Sequence, residues 1–299
     1  MIWIDFFREI ILLSLTGPGI GGNFYLFASR VYIFVTGPKK KPVDLILIHL
    51  AFTNTMTLCA RGIFDMIAFH FSNFVDSAGC KTMLYLERVA RGLSICTTCL
   101  LSMVQAVTIS HRASSWRKLK PQTAWQVLPF LLLFWIFNSL ISSNLLYYIT
   151  ATESTNGSVI TPYVGYCSIQ PSGLAVRWLF LTLMALRDII FQSLMGWSSG
   201  YMAFRLHKHH QSVLYLQSSR FQRNPSPEMR ATQRALILMT CFLLFYWADF
   251  IVSFCIGSLL TKDYTVLSIK LFLTPGYASL SPFLLISRDV CKPTCRRAR

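Results

Sequence analysis

The sequence predicts an all-α membrane protein, a bundle of seven transmembrane helices with its N-terminus outside and its C-terminus cytoplasmic. Three observations predict it. Of 299 residues, 54% are hydrophobic and 13% charged, against about 25% charged in a typical soluble domain. Apolar runs of about 18 residues or more recur along the chain, each long enough to cross a hydrocarbon core about 30 Å thick. The basic residues behind the net charge of +16 fall in alternate gaps between those runs, the pattern of cytoplasmic loops. They lie on no single amphipathic face, which argues against a nucleic-acid partner despite the charge.

The expected segments run roughly over 10–35, 43–69, 80–111, 125–149, 176–206, 231–258 and 264–287, in one domain spanning 1–299. The first lacks a basic leading region and a small-residue cleavage site, and it is too long for a signal peptide, so it is expected to be a retained helix. A basic break, TGPKKKP, separates it from the second. The gap after the third segment holds Arg112, Arg117, Lys118 and Lys120; the gap after the fifth holds Arg205, Lys208, Arg220, Arg223 and Arg230; the tail adds Arg288, Lys292, Arg296, Arg297 and Arg299. The intervening gaps, HFSNFVDSAG, the stretch around TATESTNGS, and LLTKD, are nearly free of Lys and Arg and belong outside. The sequon Asn156-Gly157-Ser158 falls in one of these outer gaps, where glycosylation is possible. Pro129 in the fourth segment and Pro275 and Pro282 in the seventh are read as lying inside spans, where proline frees a carbonyl and permits a bend.

Nine cysteines divide by compartment. Cys59, Cys96, Cys99, Cys241 and Cys255 lie in apolar spans and read as packing residues. Cys80 opens the third segment on the outside and Cys167 lies in the second outer gap; that compartment is oxidising, and a Cys80–Cys167 disulfide is expected. The C-x-x-C of Cys96 and Cys99 lies mid-membrane without histidines or a second pair, so no metal and no cofactor is expected. Cys291 and Cys295, among basic residues just inside the membrane, are candidates for S-palmitoylation.

The chemistry concentrates on the third segment. At 100° per residue, Glu87, Arg91, Ser94, Thr98, Ser102, Gln105 and Thr108 share one arc of about 120°. A charge near the bilayer midplane costs roughly 2.5–3.5 kcal/mol on insertion scales, so this stripe faces the bundle interior and needs partners or water. Candidates are the i, i+4 pair Arg61 and Asp65, Arg187-Asp188, Asp249 and Lys270, all within about 7–18 Å of the outer surface at 1.5 Å per residue. Two readings stand side by side. The charges are mutual ion pairs holding helices together, Glu87–Arg91 among them, or they line a water-filled ligand cavity open to the outside. The one-sided depth favours the cavity.

A receptor fits an outward pocket with a basic cytoplasmic face. A small-solute transporter or channel needs polar groups throughout the membrane and often shows internal repeats, and no repeat is visible. An intramembrane hydrolase needs a nucleophile with His or Asp at matching depth; His49, His70 and His111 make no such arrangement, so the chain is not read as an enzyme.

Nearly end to end, the chain resembles the vomeronasal type 1 receptors. The likeness rests on GIGGN (19–23), KPVDLILIHLAFTN (41–54), ERVARGLSICTTCLLSMVQAVTIS (87–110), the sequon at Asn156, YCSIQPSG (166–173), LRDIIFQSLMGWSSGYM (186–202), LHKHHQSVLYLQSSRF (206–221), SPEMRATQRALILM (226–239) and TPGYASLSPFLLISRD (274–289). Bitter-taste-type receptors are the nearest alternative; KPVDLILIHLAFTN and SPEMRATQR favour the vomeronasal reading. Against the wider rhodopsin-like receptors, Asn54 in LAFTN replaces a carboxylate that would help hold sodium. VQA (104–106) stands roughly where DRY should be, FYWADF (245–250) lacks the usual proline, and NPxxY becomes SPFLL (281–285).

The resemblance implies a G-protein-coupled chemosensory receptor in the plasma membrane of sensory neurons. It implies small volatile or steroid-like semiochemical ligands and a Gi/o-type heterotrimer as partner. Transferred on that likeness, Glu87, Arg88 and Arg91 are the first ligand-contacting candidates, with Arg187, Asp188 and Asp249 opposite. Arg205, Lys208, Arg230 and Arg234 are the candidates that meet the G protein.

Overall fold

The computed structural model describes residues 2–70, 77–109, 121–151, 161–164, 167–169, 174–216, 227–259 and 264–286. Helix α1 runs Ile2–Thr36, α2 Pro42–His70 and α3 Ser77–Ile109. A 3-10 turn at Ala124–Gln126 leads into α4, Leu128–Ser142, and a short α5, Asn144–Tyr148. Strands β1, Ile149–Ala151, β2, Thr161–Val164, and β3, Cys167–Ile169, follow. Helices α6, Leu174–Leu216, α7, Pro227–Leu259, and α8, Tyr264–Ile286, complete the chain. With α4 and α5 counted as one span, the described helices make seven.

Five described stretches are long and apolar enough to cross a bilayer on those grounds alone: Pro42–Gly62, Ser77–Thr108, Ala124–Tyr147, Trp178–Lys208 and Met239–Ile256, with Phe272–Ile286 shorter. Their burial differs sharply. In α3, 83% of the most apolar window is enclosed by the rest of the chain, against 22% in α6. So α3 is the axis. It packs on α2, α4, α5 and α6, while α1 touches α2 and α8, and α7 lies between α6 and α8. The ring therefore closes through α8 and α1. The outward faces carry the remaining large apolar side chains, such as Phe130, Leu133 and Ile136 of α4, as lipid-facing surfaces do.

Small residues set the α1–α8 contact. A Cβ added at Gly19 would fall 2.8 Å from the Ser279 Cα, and one at Gly22 would fall 2.9 Å from Pro282 Cγ. Asn23, on the same face, donates from Nδ2 to the Ala278 carbonyl at 2.8 Å. Close backbone approach through small residues is how membrane helices gain contact without a hydrophobic driving force, and it accounts for Gly19 and Gly22 of GIGGN. On the opposite side, His49 of α2 sits between Thr97 of α3, with Oγ1 2.9 Å from its Nδ1, and Trp135 of α4. The Trp135 indole donates to His49 Nε2 at 2.9 Å. That histidine joins three helices.

Two details sharpen the reading of the chain. Pro129 lies within the apolar stretch Ala124–Tyr147, but in the first turn of α4, where its missing N–H has no intrahelical partner to lose and no carbonyl is freed for a bend. Pro18, by contrast, does lie inside α1. Between α5 and α6 the chain also forms a small antiparallel sheet of order β1-β3-β2, in which Ala151 pairs with Cys167. The sheet packs on α3 through β1. Cys80, in the first turn of α3, is disulfide-bonded.

Candidate functional site

The polar face of α3 meets charged side chains from other helices. Arg91 reaches two carboxylates at once: Nη2 lies 3.2 Å from Asp188 Oδ2 on α6, and Nε contacts Asp249 Oδ2 on α7. Asp188 is shared. Its Oδ1 accepts from Nε of Arg187 at 2.8 Å and lies 2.7 Å from Nη2 of the same guanidinium. Arg187 Nη1 donates to Asn138 Oδ1 of α4 at 3.0 Å. Asp249 in turn accepts from the Thr274 hydroxyl of α8 at 3.2 Å.

Two guanidinium groups thus face two carboxylates, all buried, and their formal charges cancel. In a low-dielectric interior an unpaired charge is costly, whereas hydrogen-bonded opposite charges are tolerated. One cluster ties α3 to α4, α6, α7 and α8. Its packing is tight at Gly92, where an added Cβ would run into Asn138 Oδ1 and come within 2.5 Å of Arg187 Nη1.

Glu87 and Arg91 are not each other's partners. Glu87 Oε2 lies 3.4 Å from Arg61 Nη1 on α2, and Arg88 donates from Nη1 to Asn144 Oδ1 of α5 at 3.2 Å. The local i, i+4 pairing gives way because Arg91 gains two carboxylates across the bundle. Sequence reasoning therefore named four residues that the structure brings together, Arg91, Arg187, Asp188 and Asp249. It named two more, Glu87 and Arg88, that belong to separate contacts nearby. It missed Asn138 and Thr274. It also missed Gln192 of α6, one turn beyond Asp188, which is buried with neither amide atom hydrogen-bonded. A lone amide in an apolar run was the available signal for Asn138.

One turn farther along α3, a neutral network replaces the charges. Ser94 donates to Asn54 Oδ1 at 2.7 Å, Asn54 Nδ2 donates to Ser281 Oγ at 2.8 Å, and the Tyr246 hydroxyl lies 3.0 Å from Ser94 Oγ. Asn54, noted above only as a substituted carboxylate, is thus the node joining α2, α3 and α8.

The other candidates stand apart. Arg205 lies over the Tyr201 ring at 5.8 Å on α6, and Lys208 follows on the same helix. Arg230 and Arg234 fall on the first turns of α7, and their side chains lie outside the described residues, as do the Asp65 side chain, Asn156, Cys291 and Cys295. The Cys167 backbone begins β3, although its side chain is likewise outside them.

A bundle of helical spans with a polar core and lipid-facing apolar faces defines a multi-pass membrane protein. The family model for the "Vomeronasal organ pheromone receptor family" matches residues 7–293, and the chain belongs to that family. It is 33% identical over 280 residues to vomeronasal type-1 receptor 4 of Homo sapiens, covering 93% of each chain. It is 36% identical over 284 residues to vomeronasal type-1 receptor 43 of Mus musculus, covering 95% of this chain and 84% of the relative. To vomeronasal type-1 receptor 100 of Rattus norvegicus it is 34% identical over 284 residues, covering 95% and 85%.

Proposed function

We infer that the chain is a plasma-membrane chemosensory receptor, rather than an enzyme, that binds a small volatile or steroid-like semiochemical and activates a Gi/o-type G protein. One observation carries the reading. Arg91 is a single side chain on the axial helix whose two partners sit on two other helices. A ligand that exchanges either contact acts differently on two helix arrangements, and only such differential contact shifts a conformational equilibrium. The ligand enters from outside, beneath a loop tied to α3 by Cys80 and Cys167. Glu87, Arg88, Arg91, Arg187, Asp188 and Asp249 form its surroundings. The neighbouring amide of Gln192 offers a spare donor and acceptor. The disulfide reading draws support from Cys80 being disulfide-bonded and from β3, which starts at Cys167 in the sheet packed on α3.

The shift opens the inner ends of α3, α6 and α7, where Arg205, Lys208, Arg230 and Arg234 meet the G protein. The N-terminus and Asn156, a glycosylation site, are outside, and the C-terminus is inside. Cells expressing the receptor and a Gi/o reporter, screened with a semiochemical panel, test this directly. Glu87→Gln and Arg91→Ala receptors that reach the surface are expected to lose agonist potency by about tenfold or more, the effect of roughly 1.4 kcal/mol. Unchanged potency at normal surface density would remove these residues from the site.

A further inference from the structure

We propose that the turn between α1 and α2, together with Trp125, forms a binding site for the headgroup of an anionic phospholipid in the inner leaflet. The proposal rests on the topology argued above, which places this turn on the cytoplasmic side. Helix α1 ends at Thr36, and Gly37 N–H bonds back to the Ile33 carbonyl at 2.9 Å. A Cβ at Gly37 would come within 2.5 Å of that same oxygen, so the chain turns tightly here. Three lysines, Lys39, Lys40 and Lys41, then follow in succession, all exposed. None of them forms an ion pair among the described residues. The nearby carboxylate, Asp44, is buried and held by Arg30 at 3.1 Å, which leaves the lysine charge uncompensated.

The aromatic residues decide which anion fits. The Lys40 ammonium lies 5.4 Å from the Phe34 ring centroid and 6.0 Å from that of Trp125, so the cation is held between α1 and the 3-10 turn before α4. Trp125 is 65% exposed and sits where the outward apolar face of α4 begins. An amphipathic ring at that level marks the membrane–water interface, and adjacent lysines there draw anionic lipids of the cytoplasmic leaflet. A soluble anion would use the lysines alone. A lipid uses the lysines for its phosphate and the aromatic rim, continuous with the lipid-facing surface, for its glycerol and acyl start.

The test uses the full receptor in nanodiscs of neutral phosphatidylcholine, titrated with a fluorescent phosphatidylinositol bisphosphate. Wild-type receptor is expected to bind it, and to bind more weakly as salt rises. Combined Lys39→Gln, Lys40→Gln and Lys41→Gln substitution is expected to weaken binding by at least about tenfold. Trp125→Ala, which leaves every charge in place, is expected to weaken it about threefold by releasing Lys40. If the triple variant inserts poorly, Lys40→Gln and Trp125→Ala decide the question singly, and unchanged affinity in both overturns the site. Competition by soluble inositol phosphate as strong as by the lipid overturns the lipid assignment, as does preferential capture of an acidic peptide. An impermeant amine label that modifies these lysines on intact cells overturns the topology. Lysines shielded from it, with unchanged lipid affinity across the variants, overturn only the lipid site.

Discussion

Arg91 is the side chain on which the most depends. Replacing it by alanine leaves Asp249 buried with the Thr274 hydroxyl as its hydrogen-bond donor among the described residues and no cation paired with it there, and an uncompensated buried charge of this kind costs about 3–5 kcal/mol. Arg91→Ala is therefore expected to lower thermal stability in detergent sharply. Arg91→Met combined with Asp249→Leu removes one cation and one anion, and Arg187–Asp188 remains a matched pair. The double variant is expected to recover much of the loss. A melt of the purified receptor measures both, and a double variant no more stable than the single would contradict the pairing. Much of this site was legible. The period of α3 placed Glu87, Arg91 and Ser94 on one face, and the scarcity of charge in apolar runs pointed to Arg187, Asp188 and Asp249. Which carboxylate each arginine takes was not legible, because one sequence carries no signal for the depth at which two helices register. Asn138 and Thr274 were hidden for a related reason. A single amide or hydroxyl in a membrane run is common, and only the neighbouring helix shows what it serves.

At the scale of helices, α1 and α8 show how a motif becomes an interface. Gly19 and Gly21 are two residues apart on the same helix, but they face differently. A Cβ at Gly19 meets the α8 backbone, whereas one at Gly21 meets nothing within 4 Å. Gly19→Ala is expected to destabilise by about 1–3 kcal/mol, since backbone cannot move aside as a flexible side chain can. Gly21→Ala is expected to be neutral or mildly stabilising through helix propensity. Surface yield and melting temperature, compared between the two, test the assignment. Hydropathy alone does not separate these glycines, nor does it show that Pro129 stands at the start of its helix, because an apolar run does not reveal where the first hydrogen-bonded turn begins. The three-stranded sheet was equally unreadable, because strands as short as ITA, TPYV and CSI are too brief to show an alternating pattern.

For the whole molecule, the seven-helix bundle was legible because hydrocarbon imposes its own length and polarity rule on every span. The interior is layered in a way that the hydropathy of single segments does not show. A charged, balanced cluster lies on one side of a neutral network centred on Asn54, which joins α2, α3 and α8 through Ser94 and Ser281. Restoring a carboxylate with Asn54→Asp places an anion among hydroxyl groups with no arginine among the bonds now made by Asn54. Stability is expected to fall by several kcal/mol, read as reduced surface expression and a lower melting temperature. An unchanged melt would mean that a cation or water already compensates at this position.

The sharing of Asp188 between Arg91 and Arg187 also bears on how the protein is made. Arg91 is synthesised 97 residues before Asp188. At about 5–20 residues per second, the axial helix waits roughly 5–20 s for its first carboxylate, and longer for Asp249. During that interval Arg91 lacks both of its final partners, which favours retention of the helix beside water or the insertion machinery. Chains truncated ahead of α7 never receive the second carboxylate, so completion of the bundle is coupled to translation of its later helices.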